Sequence, residues 1–562
     1  MNHKYFLSLT IHNIGFQSLV IAILYLVVTL PANADFRTQP IVLPAPDGSV
    51  VKTSEICGDF IDQDADGKDL LCSGNDQDRD GYAKGTDCDD TNRYIYPGVS
   101  VGCDTNCGTG WKTCGGNGAF TACICTPLCE ATGSGKCYYV SALTGDDSNP
   151  GTFNRPWKSF ANFTHYHYTQ TPPPTWIGVI PGDVVYVMSG LYSETVITED
   201  GKAVLYLRGI NGTSNNTLRI TSYPGQLPVI APKANAQGIK ILQTSGLTIE
   251  GMEISNSYFA GIIIQESSNI KLSRVHVKDT DGEDNYNMAG VHVGNVDQFE
   301  LNHSIVHDNY DRTNADTSGV KTENSANVVL FAGGDAAIKN NIIFQTPVIT
   351  SNKTGGCVKY KHASIVENAL FNVTENVFYN CSMFAVGSGT SNTNIYNNLI
   401  LNSSGVVLRD WGGTTHLSDI QIQNNTFVNS VALYQNSEEG YSLVGPLKWS
   451  GNLVVDNDSY FTDRGTLTIS TYGTDEQYSR IILGHLFAIE NNCYFNSSGY
   501  PIKWNIFNMN GGDRGNLGGM LSLAEFQQIG YEINSVITNP KLDKHHISPV
   551  SPCNLTGWQV KK

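Results

Sequence analysis

The feature that most constrains this chain is a recurrence. An asparagine followed by a short apolar run appears at Asn341 (NIIF), Asn376 (NVFY), Asn398 (NLIL), Asn425 (NTFV) and Asn452 (NLVV). The intervals are 35, 22, 27 and 27 residues. A second series of apolar runs accompanies it: IKILQ (239–243), GIIIQ (261–265), GVHVGN (290–295), VVLFAG (328–333), CVKYK (357–361) and VVLRDW (406–411). Periods of about 20–50 residues mark a solenoid, and a basic coil of about 22 residues carrying insertions accounts for these intervals. One coil cannot bury its own apolar face, so coils must stack and share a core. Asn suits a recurring turn because it tolerates left-handed backbone and bonds locally. Stacked Asn side chains can also bond from coil to coil. A sandwich of hairpins is the rival, but these runs are not joined by the two-residue Asn-Gly turns it needs. Composition agrees with a turn-rich β protein, with 56 glycines and only 15% charged residues.

Two stretches add a resemblance. YYVSALTGDDSNPGTFNRPWKSF (138–160) and PGDVVYVMSGLY (181–192) resemble the opening of pectate-lyase-like β-helix proteins, and NSVITNPKLDKHHISPVSPC (534–553) resembles their closing segment. The likeness extends over about residues 138–555. It implies an all-β, right-handed parallel β-helix over residues 138–562, with caps at both ends. Cys493 with Cys553 is a candidate staple for the last cap, and Cys357 with Cys381 a candidate bridge within a coil.

Residues 35–137 differ in texture. Ten of the 14 cysteines lie between Cys57 and Cys137, which reads as a local disulfide framework. A zinc site competes through Cys103-x3-Cys107 and Cys123-x-Cys125-x3-Cys129, but no histidine lies among them. Between Glu55 and Asp90 stand twelve acidic residues against three basic ones. They alternate as Asp62-x-Asp64-x-Asp66-Gly67-x-Asp69 and Asp76-x-Asp78-x-Asp80-Gly81, followed by Asp87, Asp89 and Asp90. Alternate carboxylates on a curled loop converge on one centre, and Gly permits the turn that returns later ligands. That geometry suits calcium, which takes six to eight oxygens. A solvated acidic linker does not explain two copies with cysteines between them. An EF-hand lacks its Glu twelve residues into the loop. The stretch DQDRDGYAKGTDCDDTNRYIYPG (76–98) resembles Asp/Cys repeats of bacterial surface proteins, themselves similar to thrombospondin type 3 repeats. That resemblance implies calcium and an extracellular or cell-surface location.

Residues 1–34 read as an export signal: Lys4, an apolar run from Leu19 to Leu30, then Pro31 and Ala32-Asn33-Ala34. The run is short of the roughly 20 residues a bilayer span requires. The reading is therefore a secreted or surface protein with no transmembrane span in the mature chain. A net charge of −17 argues against nucleic acid as a partner.

Function is not dictated by this fold. Alternation along a strand sends neighbours to opposite faces. If Val291, Val358 and Tyr360 point inward, then His292, Lys359, Lys361 and Arg409 point outward, with Trp411 beside them. Insertions at 279–289, 308–327 and 345–356 precede that strand and wall a groove. Outward cations on an acidic protein form a platform for an acidic polysaccharide or surface glycan. β-Elimination of a uronate needs a base and positive charge beside the substrate carboxylate. Lys359 is the candidate base, with Lys361, Arg409 and His292 around it. Asp279, Asp281, Glu283 and Asp284 are candidate calcium ligands near the groove. The expectation is a calcium-assisted, polysaccharide-lyase-like activity, with Lys359 exposed. The rival is a non-catalytic surface or adhesion protein, with the helix as a rigid rod and the acidic module as a stalk. A glycoside hydrolase would need two carboxylates across the groove, and the register turns Asp410 away.

Overall fold

Among the described residues, the coils run through three faces, and strands of successive coils pair in parallel on each face. The computed structural model describes residues 68–542 except 73, 106–107, 283–286, 313–324, 347–354, 362–367, 410–416, 437–445, 457–466, 472–486, 498–503, 509–514, 517–521 and 529; it also describes 41–42, 57–58, 61–62, 553 and 557. Its first face includes Lys202–Arg208, Gln237–Leu242, Ala326–Phe331, Gly356–Tyr360, Val386–Ser388 and Val406–Arg409. Its second face includes Leu218–Ser222, Ser245–Glu250, Ala336–Lys339, Phe371–Thr374, Thr393–Tyr396, Ile420–Gln423 and Leu447–Ser450. Two long strands, Ala260–Ser273 and Ala289–Asn302, serve both faces. The third face is a continuous 12-stranded parallel sheet from Gly190–Tyr192 to Val536–Ile537. The protein is thus a right-handed parallel β-helix.

Alternation builds the core. Ile262, Ile264, Val291, Val293, Val328, Leu330, Val358 and Tyr360 point inward from the first face. Ile270, Leu272, Phe299, Leu301, Phe371 and Val373 do so from the second, and Val277, Val306, Ile343, Phe378 and Ile400 from the third. Burial of each such side chain is worth about 1.5–3 kcal/mol. At the N-terminal end Trp157 is buried against Tyr138, with ring centroids 5.0 Å apart. Gly151 packs so closely on the Trp157 indole that a Cβ would lie 2.5 Å from it.

The predicted asparagine stack forms at the corner before the third face. Asn341 N donates to Asn376 Oδ1 at 2.9 Å, Asn376 N to Asn398 Oδ1 at 2.9 Å, Asn398 N to Asn425 Oδ1 at 2.9 Å, and Asn425 N to Asn452 Oδ1 at 2.9 Å. The ladder extends further than the repeat indicated, because Asn452 N donates to Asn492 Oδ1 at 2.8 Å. The expected reason for Asn is corrected. The left-handed residue is the one before each rung: Asn340, Glu375, Asn397, Asn424, Gly451 and Asn491 have φ between 54 and 65°. The rung asparagines are selected for their amides, which are fully buried and satisfy backbone N–H groups at a turn.

Ahead of the helix, Ser100–Thr105 and Gly108–Thr113 form an antiparallel hairpin. Disulfides Cys57–Cys72, Cys88–Cys114, Cys103–Cys123 and Cys129–Cys137 staple this segment. Cys125 is disulfide-bonded as well, and Cys107 lies outside the described residues. The zinc alternative therefore fails, since thiols committed to disulfides do not ligate metal. Cys357–Cys381 and Cys493–Cys553 pair as expected.

Candidate functional site

The acidic segment curls as its spacing demands. Arg79 has φ 57° and Gly81 φ 94°, and between them the chain turns Asp76, Asp78 and Asp80 onto one point. One ligand atom from each lies within 4.8 Å of the others. Each carboxylate divides its oxygens between two tasks. Asp78 Oδ1 accepts from Asp80 N (3.2 Å), Asp80 Oδ1 from Tyr82 N (2.8 Å), and Asp76 Oδ2 from Gly81 N (3.1 Å). Asp87 Oδ1 accepts from Asp89 N (3.0 Å), and Asp90 Oδ1 from Gln77 N (3.1 Å). The five remaining oxygens, Asp76 Oδ1, Asp78 Oδ2, Asp80 Oδ2, Asp87 Oδ2 and Asp90 Oδ2, are buried with no hydrogen-bond partner. Buried acceptors are normally satisfied. Burial first, then mutual repulsion, pushes Asp80 up to about 9. Burial likewise pushes Asp87 up to about 6 and raises Asp76, Asp78 and Asp90. The convergent carboxylates of Asp76, Asp78 and Asp80, with the orphaned oxygens of Asp87 and Asp90 in electrostatic reach of them, form a donor set that fits a hard divalent cation.

The other predicted metal residues fare differently. Asp89 turns to its own loop, where Oδ1 accepts from Thr91 Oγ1 at 2.6 Å. Asp69 is partly buried and stands outside the Asp76–Asp78–Asp80 group. Asp62 ends the short strand Ile61–Asp62; its side chain, with Asp64 and Asp66, lies outside the described residues.

The acidic loop sits against the β-helix corner just before the third face. His303 Nε2 donates to the Asp80 carbonyl at 3.0 Å, and Arg93 Nη2 to the Asn340 carbonyl at 2.6 Å. Tyr96 stacks on His303 at 4.7 Å and on Tyr82 at 5.5 Å, with the Arg274 guanidinium 5.7 Å from its ring. Tyr94 joins Ile305, Ile342 and Phe344 in an apolar cluster on the outer side of the third face. No sequence pattern marked His303, and the 76–98 resemblance gave Arg93 and Tyr96 no role. The contacts join residues 223 and 247 positions apart, and local periodicity does not reach that far.

The second candidate is the outer side of the first face. Register places Tyr206, Lys240, Ile263, His292, Val329, Lys359, Gly387 and Val407 on one outward row. His292 and Lys359 are two coils apart, about 10 Å at the usual strand spacing. Lys361 and Arg409 flank Gly389 in a parallel row, where a Cβ on Gly389 would meet the Lys361 and Arg409 carbonyls at 2.3 and 2.7 Å. Both are half-buried, and Lys361 Nζ lies 5.1 Å from the Phe331 ring centroid. The expectation of an exposed Lys359 is wrong. It is 0% exposed, with Nζ 3.2 Å from Asn287 Oδ1 in the preceding insertion. Val329, Val407 and Phe384 form an apolar layer on the same outer side. Burial holds His292 down at about 4, so its imidazole is neutral at neutral pH.

Asp279 and Asp281 are engaged by Arg312. Its Nη2 lies 3.2 Å from Asp279 Oδ1, and its backbone N donates to Asp281 Oδ1 at 3.0 Å. A guanidinium thus stands where calcium was expected near the groove. Glu283, Asp284, Asp410 and Trp411 lie outside the described residues. Sequence reasoning missed Lys240, also fully buried on this row, whose Nζ lies 2.5 Å from Asp200 Oδ1. Tyr206 beside it donates to Glu199 Oε1 at 2.7 Å. The alternation that turns Lys359 outward in CVKYK also turns Lys240 outward in IKILQ.

No family model matches this sequence, and no curated protein matches it. Among solved structures, pectate lyase Pel9A is similar at 13% identity and TM-score 0.38, over 57% of this chain and 76% of its own. A GH136 lacto-N-biosidase from Eubacterium ramulus is similar at 12% and 0.37, over 72% of this chain and 68% of its own. An alginate lyase from Paenibacillus sp. str. FPU-7 is similar at 11% and 0.28, over 56% of this chain and 91% of its own. At these identities the likeness is one of coil architecture, and no activity passes from them to this chain.

Proposed function

We propose that this chain is a secreted, carbohydrate-active β-helix protein that holds calcium in its aspartate-rich module and acts on an acidic polysaccharide. The observation that carries the carbohydrate reading is the pair of outward rows on the first face, where Lys359, Lys361 and Arg409 fall within three successive coils. Six disulfides joining described residues are in keeping with an oxidising compartment. Among the described residues no helix is long and apolar enough to cross a membrane.

The reaction proposed is β-elimination. Lys359 Nζ, released from its contact with Asn287 and unprotonated, takes the proton from the carbon beside the uronate carboxylate. The electron pair forms the new C=C bond, the glycosidic C–O bond breaks, and the departing oxygen takes a proton from water. Lys361 and Arg409 hold the carboxylate while negative charge builds on it. His292, neutral, serves as a hydrogen-bonding partner for a sugar hydroxyl. Calcium, when bound by Asp76, Asp78, Asp80, Asp87 and Asp90, supplies structural charge compensation. Its loop sits at the corner before the third face, off the cationic rows, so no step runs through it.

The test is a screen of purified protein on uronate polymers, following the ultraviolet absorbance of the unsaturated product, with Lys359→Met in parallel. Turnover by the wild type and its loss in the variant is the expected result. Turnover undiminished in the variant places the base elsewhere. A non-catalytic glycan-binding role is the second reading. It is favoured by the outer side of the second face, where Asn372, Asn394 and Gln421 follow one another on successive coils beside exposed Tyr396. Retained binding with no turnover on any uronate polymer would select it.

A further inference from the structure

We infer that the β-helix completes the cation site. His303 is a positioning residue for the calcium loop, and calcium loading and docking of the module onto the helix are one linked equilibrium. The inference rests on the calcium reading above and goes beyond it, since His303, Arg93 and Tyr96 touch no ligand position.

Asp80 is the hinge of the argument. Its side chain contributes one of the five orphaned oxygens, and its own carbonyl receives the His303 Nε2–H at 3.0 Å. The same residue therefore faces the cation on one side and the helix on the other. Gly81, next in the chain, faces Asn340; a Cβ there would come 3.7 Å from the Asn340 amide nitrogen. Asn340 in turn gives its carbonyl to Arg93 Nη2 at 2.6 Å, beyond the last carboxylate of the loop. The loop is thus gripped at both ends by one corner of the helix. His303 and Asn340 occupy equivalent corner positions one coil apart, both left-handed, with φ 46 and 55°. That conformation turns the Asn340 carbonyl and the His303 ring toward the module.

Two consequences follow physically. Without a cation, five carboxylate oxygens sit buried and unpaired, which disfavours the docked loop. With a cation the docked loop is the ligating conformation. Coupling of this kind is reciprocal: whatever docking adds to calcium affinity, calcium adds to docking. Undocking would uncover the apolar strip of Ile305, Ile342 and Phe344 that Tyr94 now packs against.

The experiment uses the full chain. Calcium affinity is measured by calorimetry for the wild type, His303→Ala, Arg93→Met and His303→Gln, with circular dichroism as the check on the β-helix. A loss of about fivefold or more is expected in His303→Ala and Arg93→Met, since couplings between sites usually run from about five- to 150-fold. His303→Gln, whose amide N–H can still reach the Asp80 carbonyl, should recover part of it. A second readout is binding of a hydrophobic dye: chelator should raise it in the wild type, and His303→Ala should show raised binding at a calcium level that suppresses it in the wild type. Equal calcium affinity in wild type and both loss variants would overturn the linkage while leaving the calcium site standing. No calcium binding by the wild type would instead overturn the calcium reading itself. Should one loss variant fail to fold, the other decides.

Discussion

At the scale of single residues, the acidic loop responds to pH in a direction set by its metal-free state. Burial raises the folded carboxyls of Asp80 and Asp87 above the ordinary value of 3.8, to about 9 and about 6. The folded, metal-free module then binds more protons than the unfolded chain, so its stability falls as pH rises. That stability should be complete below about pH 4 and decline progressively toward pH 9 in chelator. On the proposed reading, calcium displaces those protons and should flatten or reverse the slope. Melting curves at several pH values, with and without calcium, check this; the same slope in both would refute it. Asp78→Asn removes a buried ligand and should weaken calcium binding by about tenfold or more, because ligand charge tunes affinity. Lys359 makes a different case. Read as an exposed base, it would be removable without loss of stability. Buried against Asn287, its replacement by Ala leaves a polar partner unsatisfied and should cost about 1–3 kcal/mol, read from denaturant midpoints. Lys359→Met, which keeps the stem volume, should cost less, which is why it is the better probe of chemistry.

At the scale of the element, the asparagine ladder is the most legible device in the chain. Its rungs recur at intervals visible to the eye, and the bonds they imply are present. What the recurrence hid is the division of labour between two adjacent positions. Asn397 and Asn398 are the same residue type with opposite duties. Both are buried, but Asn397 adopts φ 54° and makes the turn, while Asn398 donates Nδ2 to Val373 O and Asn425 Oδ1 and accepts from Asn376 N. Asn398→Ala should therefore destabilise the protein by about 2–4 kcal/mol, as it strands more than one buried backbone group. Asn397→Gly should cost less than Asn398→Ala, since Gly favours that backbone, whereas Asn397→Val should cost about 1–2 kcal/mol more than Asn397→Gly. Urea denaturation of the three variants tests the contrast, and equal losses at both positions would refute the assignment. The Cys357–Cys381 bridge, with a sequence separation of 24, should contribute about 3 kcal/mol by restricting the unfolded chain.

At the scale of the whole molecule, stability in a stack of coils is a sum of neighbour terms, so damage stays local. The last coils are closed by Cys493–Cys553 and by Glu532, whose carboxylate accepts from Tyr494 Oη and Asn492 Nδ2 at the end of the ladder. Replacing both Cys493 and Cys553 by Ser should speed amide exchange in the strands from Leu447 to Phe495 and leave those from Gln237 to His307 protected. Uniform loss of protection would contradict the neighbour model. The coil architecture was readable from sequence because each coil repeats the same local problem: bury one side of three strands and satisfy one corner. Cys357 with Cys381 and Cys493 with Cys553 were candidate bridges only, and the structure forms both. The D-x-D-x-D-G spacing likewise determined a convergent carboxylate loop, because ligand direction there depends on neighbours two residues away. Tertiary structure alone decided what these local units face. It buried Lys359 beneath an insertion, gave Asp279 and Asp281 to Arg312, and laid the acidic loop on His303 and Asn340. Those outcomes depend on which distant segments meet across a corner, and neither alternation nor spacing carries that information.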